Sequence, residues 1–202
     1  TGVKTLEYEE SDTRVSRWHA PRPTTLLGLT FSEHRTLTSR TGDVDVTVYM
    51  DKDLSKSASR EEEILQLIDE VLPFYSKSFG DYPYKKLDIV QMADDYQFGQ
   101  GLPTMLMLWG LYFRSDYLLG RDLSVNKYFN VQQFFKGFLA HELAHQWWGN
   151  VVIPRTYRDT WLSEGMATYA ADLFIENMIG QDQFHEMLKS HTHAAKQADK
   201  EG

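Results

Sequence analysis

The 202-residue chain contains no cysteine. That excludes disulfides, thiolate metal ligands and a cysteine nucleophile, and it leaves the compartment open. No apolar run approaches the ~20 residues that a membrane helix needs, so this segment is not expected to span or contact a bilayer. Basic residues are in the minority, 21 Lys and Arg against 29 Asp and Glu, for a formal charge of −8. An acidic balance argues against nucleic acid or anionic lipid as a partner. There is no internal repeat and no low-complexity tract. What is present is globular: 42% hydrophobic and 13% aromatic residues, in a chain long enough to bury roughly 70% of the surface it exposes unfolded.

The chain begins at Thr1 with no basic or apolar leader and stops at Gly202 in a polar run that still reads as helix. Those ends read as the ends of a piece cut from a longer protein, so no localisation is assigned.

The first fifty residues read as β. Thr25 to Phe31 and His34 to Arg40 are short runs between turn-formers. Thr41-Gly42-Asp43 is a hairpin-type turn, and Val44 to Met50 alternates apolar and polar. After Asp51 the character changes, and the best boundary falls near residues 51–58. Ser57 to Arg60 offers capping residues, followed by Glu61, Glu62 and Glu63, where a helix dipole favours acids. Ile64, Leu65, Leu67, Ile68, Val71 and Leu72 form a helical stripe to about Ser76, closed by Gly80 and Pro83. Leu87 to Met92 and Thr104 to Arg114 read as buried strands. Asn130 can cap a helix from about Val131 to Trp148, ended by Gly149-Asn150. A second opens at Thr160 or Ser163 and ends at Gly180. A third, capped by Asp182, starts near Gln183. Strands first and a mixture afterwards make the class α+β.

The chemistry lies in His141-Glu142-Leu143-Ala144-His145. Residues four apart on a helix sit about 40° apart around its axis, one turn along. Two imidazoles so placed can meet one ion at about 2.0–2.1 Å. Glu142 flanks that face, where it can take a proton from a metal-bound water. Zinc in a hydrolase needs a third protein ligand and an open position. Glu164 follows His145 after eighteen intervening residues, in the first turn of the next expected helix. The loop between contains Gly149 and Pro154 and is long enough to fold that helix back. His141, His145 and Glu164 are thus candidate ligands for one Zn²⁺, and Glu142 is the candidate general base. Phe134, Phe135, Phe138, Leu139, Trp147 and Trp148 read as core around them. His185, His191 and His193 on the last helix, with His19 and His34 in the β portion, read as structural or solvated.

HELAHQWWGN (141–150) and WLSEGMATY (161–169) resemble the zinc-site signature of the aminopeptidase-N and leukotriene-hydrolase family of gluzincins. FGDYPYKKLDIVQM (79–92) resembles the stretch leading into that family's substrate loop. The resemblance covers about residues 70–185, and more weakly 20–50. It implies a thermolysin-like lobe over 53–202, a twisted sheet packed on helices, preceded at 1–52 by the β-rich end of an N-terminal β domain. It also implies peptide hydrolysis, a peptide or protein substrate, and a site shaped by Asn150 and Asp159. Gln100 and Gly101 would lie beside the substrate, whose backbone could bond to Gly101.

The sequence departs from the family in three places. Its aminopeptidases carry a Gly-Ala-Met-Glu-Asn segment whose glutamate holds the substrate's α-amine; here Gln100-Gly101-Leu102-Pro103-Thr104 places no carboxylate there. A buried ammonium needs an anion, so exo- and endopeptidase action both stay open. Asp94 and Asp95 are nearby alternatives but read as solvated loop acids. The family's oxyanion-stabilising tyrosine and cleft-closing helical domain would fall beyond residue 202. Ala171 stands where the family commonly shows a supporting acid, with Asp172 about 80° off that face. These departures motivate an alternative, a catalytically silent peptidase-like scaffold that binds partners. An epoxide hydrolase on the same site rests on family analogy alone.

Overall fold

A computed structural model describes residues 1–24, 26–54, 59–96, 98–114 and 131–201. Two sheets and four α-helices are present among the described residues, in the order β1 (Val3–Glu10), β2 (Thr13–His19), β3 (His34–Thr41), β4 (Val44–Asp51), α1 (Glu61–Phe79), β5 (Lys86–Gln91), β6 (Gln100–Leu102), β7 (Met105–Leu108), α2 (Val131–Ala144), α3 (Thr160–Ile179) and α4 (Gln181–Glu201). β1 and β2 form a hairpin apart. The five-stranded sheet runs β3-β4-β5-β7-β6, with β4, β5 and β7 parallel and both outer strands antiparallel to their neighbours.

The alternation of β4 does what its period demands. Val44, Val46, Val48 and Met50 are buried on one face, and Asp45 and Asp51 are exposed. α1 covers that face with Ile64, Leu67, Ile68, Val71, Leu72 and Tyr75. Its first turn carries the three glutamates, and Gly80 ends it by donating its N–H to the Ser76 carbonyl at 3.1 Å. Burying such a Leu or Ile contributes about 1.5–3 kcal/mol. α2 and α3 complete the layer. Ala140, Ala144, Ala167, Ala170 and Ala171 let these helices approach closely, and the Tyr75 hydroxyl donates to the Ala140 carbonyl at 3.0 Å.

Several expectations need correction. Residues 26–31 form no strand. Leu27, Leu29 and Phe31 are exposed with no ladder partner, and Thr25 lies outside the described residues. The strand expected over Thr104 to Arg114 stops at Leu108. Gly110–Phe113 is a 3-10 turn, because Gly110 packs so tightly on Met92 and Asp94 that a Cβ would meet their oxygens at 2.4 and 2.3 Å. β6 was not expected at all; only three residues long, it gives almost no periodic signal. α2 ends at Ala144, with tighter turns closing to Trp148, so His145 sits just past its last regular residue. α4 begins at Gln181, ahead of the expected Asp182 cap. The caps expected at Asn130 and Ser57 lie outside the described residues. β4 and β5, which lie on either side of residues 52/53 in the chain, pair in parallel over Asp45–Tyr49 of β4.

Candidate metal centre

His141 occupies the last turn of α2 and His145 the turn beyond it. Their Nε2 atoms face each other at 3.2 Å. The chain then reverses. Gly149 adopts φ +112°, and a Cβ there would lie 2.5 Å from Ser163 Oγ. Only glycine allows both that backbone and that approach, and the approach brings the first turn of α3 over the histidines. One Glu164 oxygen lies 3.3 Å from His141 Nε2 and 3.6 Å from His145 Nε2. Among the described residues this is the group of three His, Cys, Asp or Glu side chains that could hold a metal ion. Tetrahedral donors 2.0–2.1 Å from a zinc ion lie about 3.4 Å from one another, so the three spacings fit that ion.

The outer nitrogens of both rings have partners. His145 Nδ1 lies 2.9 Å from the Trp148 carbonyl. A carbonyl only accepts, so Nδ1 carries the proton and Nε2 offers a lone pair. Ser163 Oγ donates to the same carbonyl at 2.9 Å. His141 Nδ1 lies 3.4 Å from Thr168 Oγ1. Burial, followed by the neighbouring His145, lowers the His141 pKa against an opposing pull from Glu164, which favours the neutral, metal-ready imidazole.

Glu142 is 5% exposed. Burial first, then the charge of Glu164, push its pKa up to about 8 against a hydrogen bond from the Gly101 N–H. β6 lies directly over this stretch of α2. A Cβ on Gly99 would lie 2.3 Å from Glu142 Oε1, and one on Gly101 2.6 Å from the Glu142 carbonyl and from His145 Cβ. Gln100 is exposed beside them. Asn150 Nδ2 donates to the Gly101 carbonyl at 3.2 Å.

Other candidates part company. Asp159 caps the turn before α3, its carboxylate accepting from the Thr156 N–H and Oγ1. Asp94 pairs with Arg114 at 3.7 Å. Asp172 does reach the site. With Phe98, Phe134, Gly137, Phe138 and Ile175 it lines a cleft of about 500 Å³ that His141 and Glu142 also border. Phe134 is thus a cleft residue, 39% exposed, whereas Phe135, Leu139 and Trp147 are core. His34 packs edge-on against Tyr49, His185 is exposed, and the side chains of His191 and His193 lie outside the described residues. Sequence reasoning missed Ser163, Thr168, Gly99 and Gln146. Gln146 follows the last histidine directly, and a polar residue inside an otherwise aromatic run was the signal.

A buried helix carrying His-Glu-x-x-His, faced by a glutamate from the next helix, is the arrangement of a metallopeptidase centre. Residues 64–201 match the Peptidase family M1 domain, and the chain belongs to this aminopeptidase-N-like family. It is 30% identical over 161 residues to aminopeptidase N of Acetobacter pasteurianus, covering 79% of this chain and 43% of that protein. It is 30% identical over 144 residues to endoplasmic reticulum aminopeptidase 2 of Homo sapiens, covering 71% and 14%. Against tricorn protease-interacting factor F2 of Thermoplasma acidophilum the identity is 26% over 179 residues, covering 87% and 21%. The chain spans less than half the length of these relatives. No helix among the described residues is long and apolar enough to cross a membrane.

Proposed function

We propose that this chain carries the catalytic centre of a zinc-dependent peptidase, arranged as a thermolysin-like lobe with one Zn²⁺ per chain. The observation that carries the reading is the convergence of His141 Nε2, His145 Nε2 and Glu164 Oε2 beside the Glu142 carboxylate. The donor set fits the ion: two neutral imidazoles and a carboxylate suit zinc. Bound there, zinc would polarise a peptide carbonyl and lower the pKa of a coordinated water to about 7. Glu142 then has one task, to accept a proton at its carboxylate and return it to the leaving amine. Gly99 packs against that carboxylate, and burial between α2 and the β6 stretch keeps bulk water from it. Trp148, Ser163 and Thr168 orient the imidazoles. The apolar cleft lined by Phe98, Phe134 and Phe138 accepts a substrate side chain beside the base.

The substrate is a peptide or protein. Residues 100–104 carry no carboxylate to hold a free α-amine, so the reading does not require an unblocked N-terminus. A peptide and its N-acetylated twin should be cleaved within tenfold of one another. A strict demand for the free amine would make the action aminopeptidase-only and place the amine's anion elsewhere. We further propose that segments beyond residue 202 supply the oxyanion donor and close the cleft. The deciding experiment compares the intact protein with Glu142→Gln. The variant should keep about one zinc and lose ~10²–10⁴ in kcat. Equal hydrolysis by both would sink the assignment, and a parent that binds zinc yet cleaves no peptide would favour the silent scaffold.

A further inference from the structure

We infer that Gln146 is a positioning residue for Glu142, acting through the β6–β7 hairpin; the inference rests on the peptidase reading. Gln146 is fully buried and makes three hydrogen bonds. Its Nε2 donates to the Leu102 carbonyl at 2.8 Å. Its Oε1 accepts from the Thr104 N–H at 3.0 Å and from the Tyr82 hydroxyl at 3.2 Å. The amide thus grips both sides of the two-residue turn Pro103-Thr104 that joins β6 to β7.

That turn does not hold itself. Thr104 sits at φ +67°, a conformation that a β-branched residue adopts at a cost. β6 is three residues long at the outer edge of the sheet, paired only to β7. Besides that ladder, Gln146 bonds to Leu102 and Thr104 and Asn150 to Gly101, while Thr104 also accepts from the Asp88 N–H at its carbonyl and from the Gly2 N–H at its hydroxyl. Gly101 is one residue from Leu102, and Gly99, two residues further back, lies directly against the Glu142 carboxylate, where a Cβ would meet Oε1 at 2.3 Å. Gly101 also rests against the Glu142 carbonyl and His145 Cβ. The base and the tether that fixes its partner therefore leave the same stretch of chain, four residues apart. The hairpin closes the loop between them.

Gln146 touches neither the candidate ligands' nitrogens nor the cleft. Replacing it should spare the metal and disturb the base. Gln146→Leu keeps the volume and removes the side-chain partners of the Thr104 N–H and the Leu102 carbonyl, while the Tyr82 hydroxyl keeps the Lys86 carbonyl at 3.2 Å. Gln146→Glu keeps the acceptor for Thr104 and Tyr82 and loses the donor to Leu102. In the intact zinc-loaded protein, Gln146→Leu should retain about one zinc per chain. Its kcat should fall at least tenfold, with KM within threefold, because a misplaced base is felt in the transition state and not in binding. Amide exchange at Gly101 and Thr104 should quicken at least tenfold in both the metal-free and loaded forms. Gln146→Glu should lie between parent and Leu on both measures, and it carries the test if the Leu variant does not fold. Zinc lost in step with activity would make Gln146 a structural residue only and overturn the inference, as would unchanged exchange at Gly101. A parent that hydrolyses nothing overturns the underlying reading instead, and metal content with exchange rates tells the two failures apart.

Discussion

The two faces of the five-stranded sheet differ in how they are covered. On one, α1, α2 and α3 bury a continuous core from Val46 through Ile68 to Phe174. On the other, Val90, Leu102 and Met105 form a small cluster with Tyr49 and Met107 beside it, and the neighbouring β1–β2 hairpin leaves Val3, Leu6, Tyr8 and Trp18 about half exposed. Every candidate metal donor belongs to the helical layer of the thick face. Only the glycines that press on Glu142 come from the sheet's edge. The comparison teaches that the donors, although Glu164 itself is exposed, are carried by the layer whose other side chains form the deep core, which fixes the backbone they leave from.

Truncation should separate the faces most strongly. Ile68→Ala, fully buried under the sheet, should cost about 2–5 kcal/mol. Leu6→Ala on the hairpin should cost well under 1 kcal/mol. Urea unfolding of both variants checks this, and equal losses would erase the distinction.

Metal removal comes next. At free zinc a thousandfold above its Kd, the ion adds about 4 kcal/mol to the folded state. Chelation should remove that stabilisation and lower the unfolding temperature while leaving proteolytic cutting of the β1–β2 hairpin unchanged. Protection of both regions together would mean that zinc stabilises more than its own layer.

Gly99→Ala should lower kcat by roughly 10²-fold, in the range seen when one catalytic donor is lost. Its new Cβ would displace the Glu142 carboxylate, the far end of a flexible side chain, so the unfolding temperature should barely change. A large thermal loss with unchanged kcat would show that Gly99 serves packing alone.

The smallest effect is electrostatic. In the metal-free protein burial pushes the folded Glu142 pKa up to about 8, well above the ordinary carboxylate range. The folded state therefore holds a proton that the unfolded chain has released, and stability contributed by this group falls as pH rises through that window. Between pH 7 and 8, parent stability should drop about 1 kcal/mol relative to Glu142→Gln. Thermal scans of the two chelated proteins at both pH values measure the difference, and a parallel response would place the carboxyl in water.

Much of the fold was legible locally. β4 alternates, α1 carries an apolar stripe behind three acids, and the turn between β3 and β4 falls at Gly42-Asp43. What misled was local too. Residues 26–31 look strand-like but pair with no strand, and Gly28 bonds to Thr1 instead. The run to Arg114 is apolar enough for a strand, yet the fit of Gly110 against Met92 turns it.

The spacing of His141, Glu142 and His145, with Glu164 further on, is written in the sequence because helical geometry converts spacing into facing. Membership in the M1 peptidase family follows from the same stretch. Tertiary structure alone decided that Asp159 would cap a turn while Asp172 reached the cleft, and that Gly99 and Gly101 would press on Glu142. It also joined Gln146 to a hairpin forty-two residues earlier in the chain. These are contacts between segments remote in sequence, and no local periodicity encodes which backbone groups a buried amide will meet.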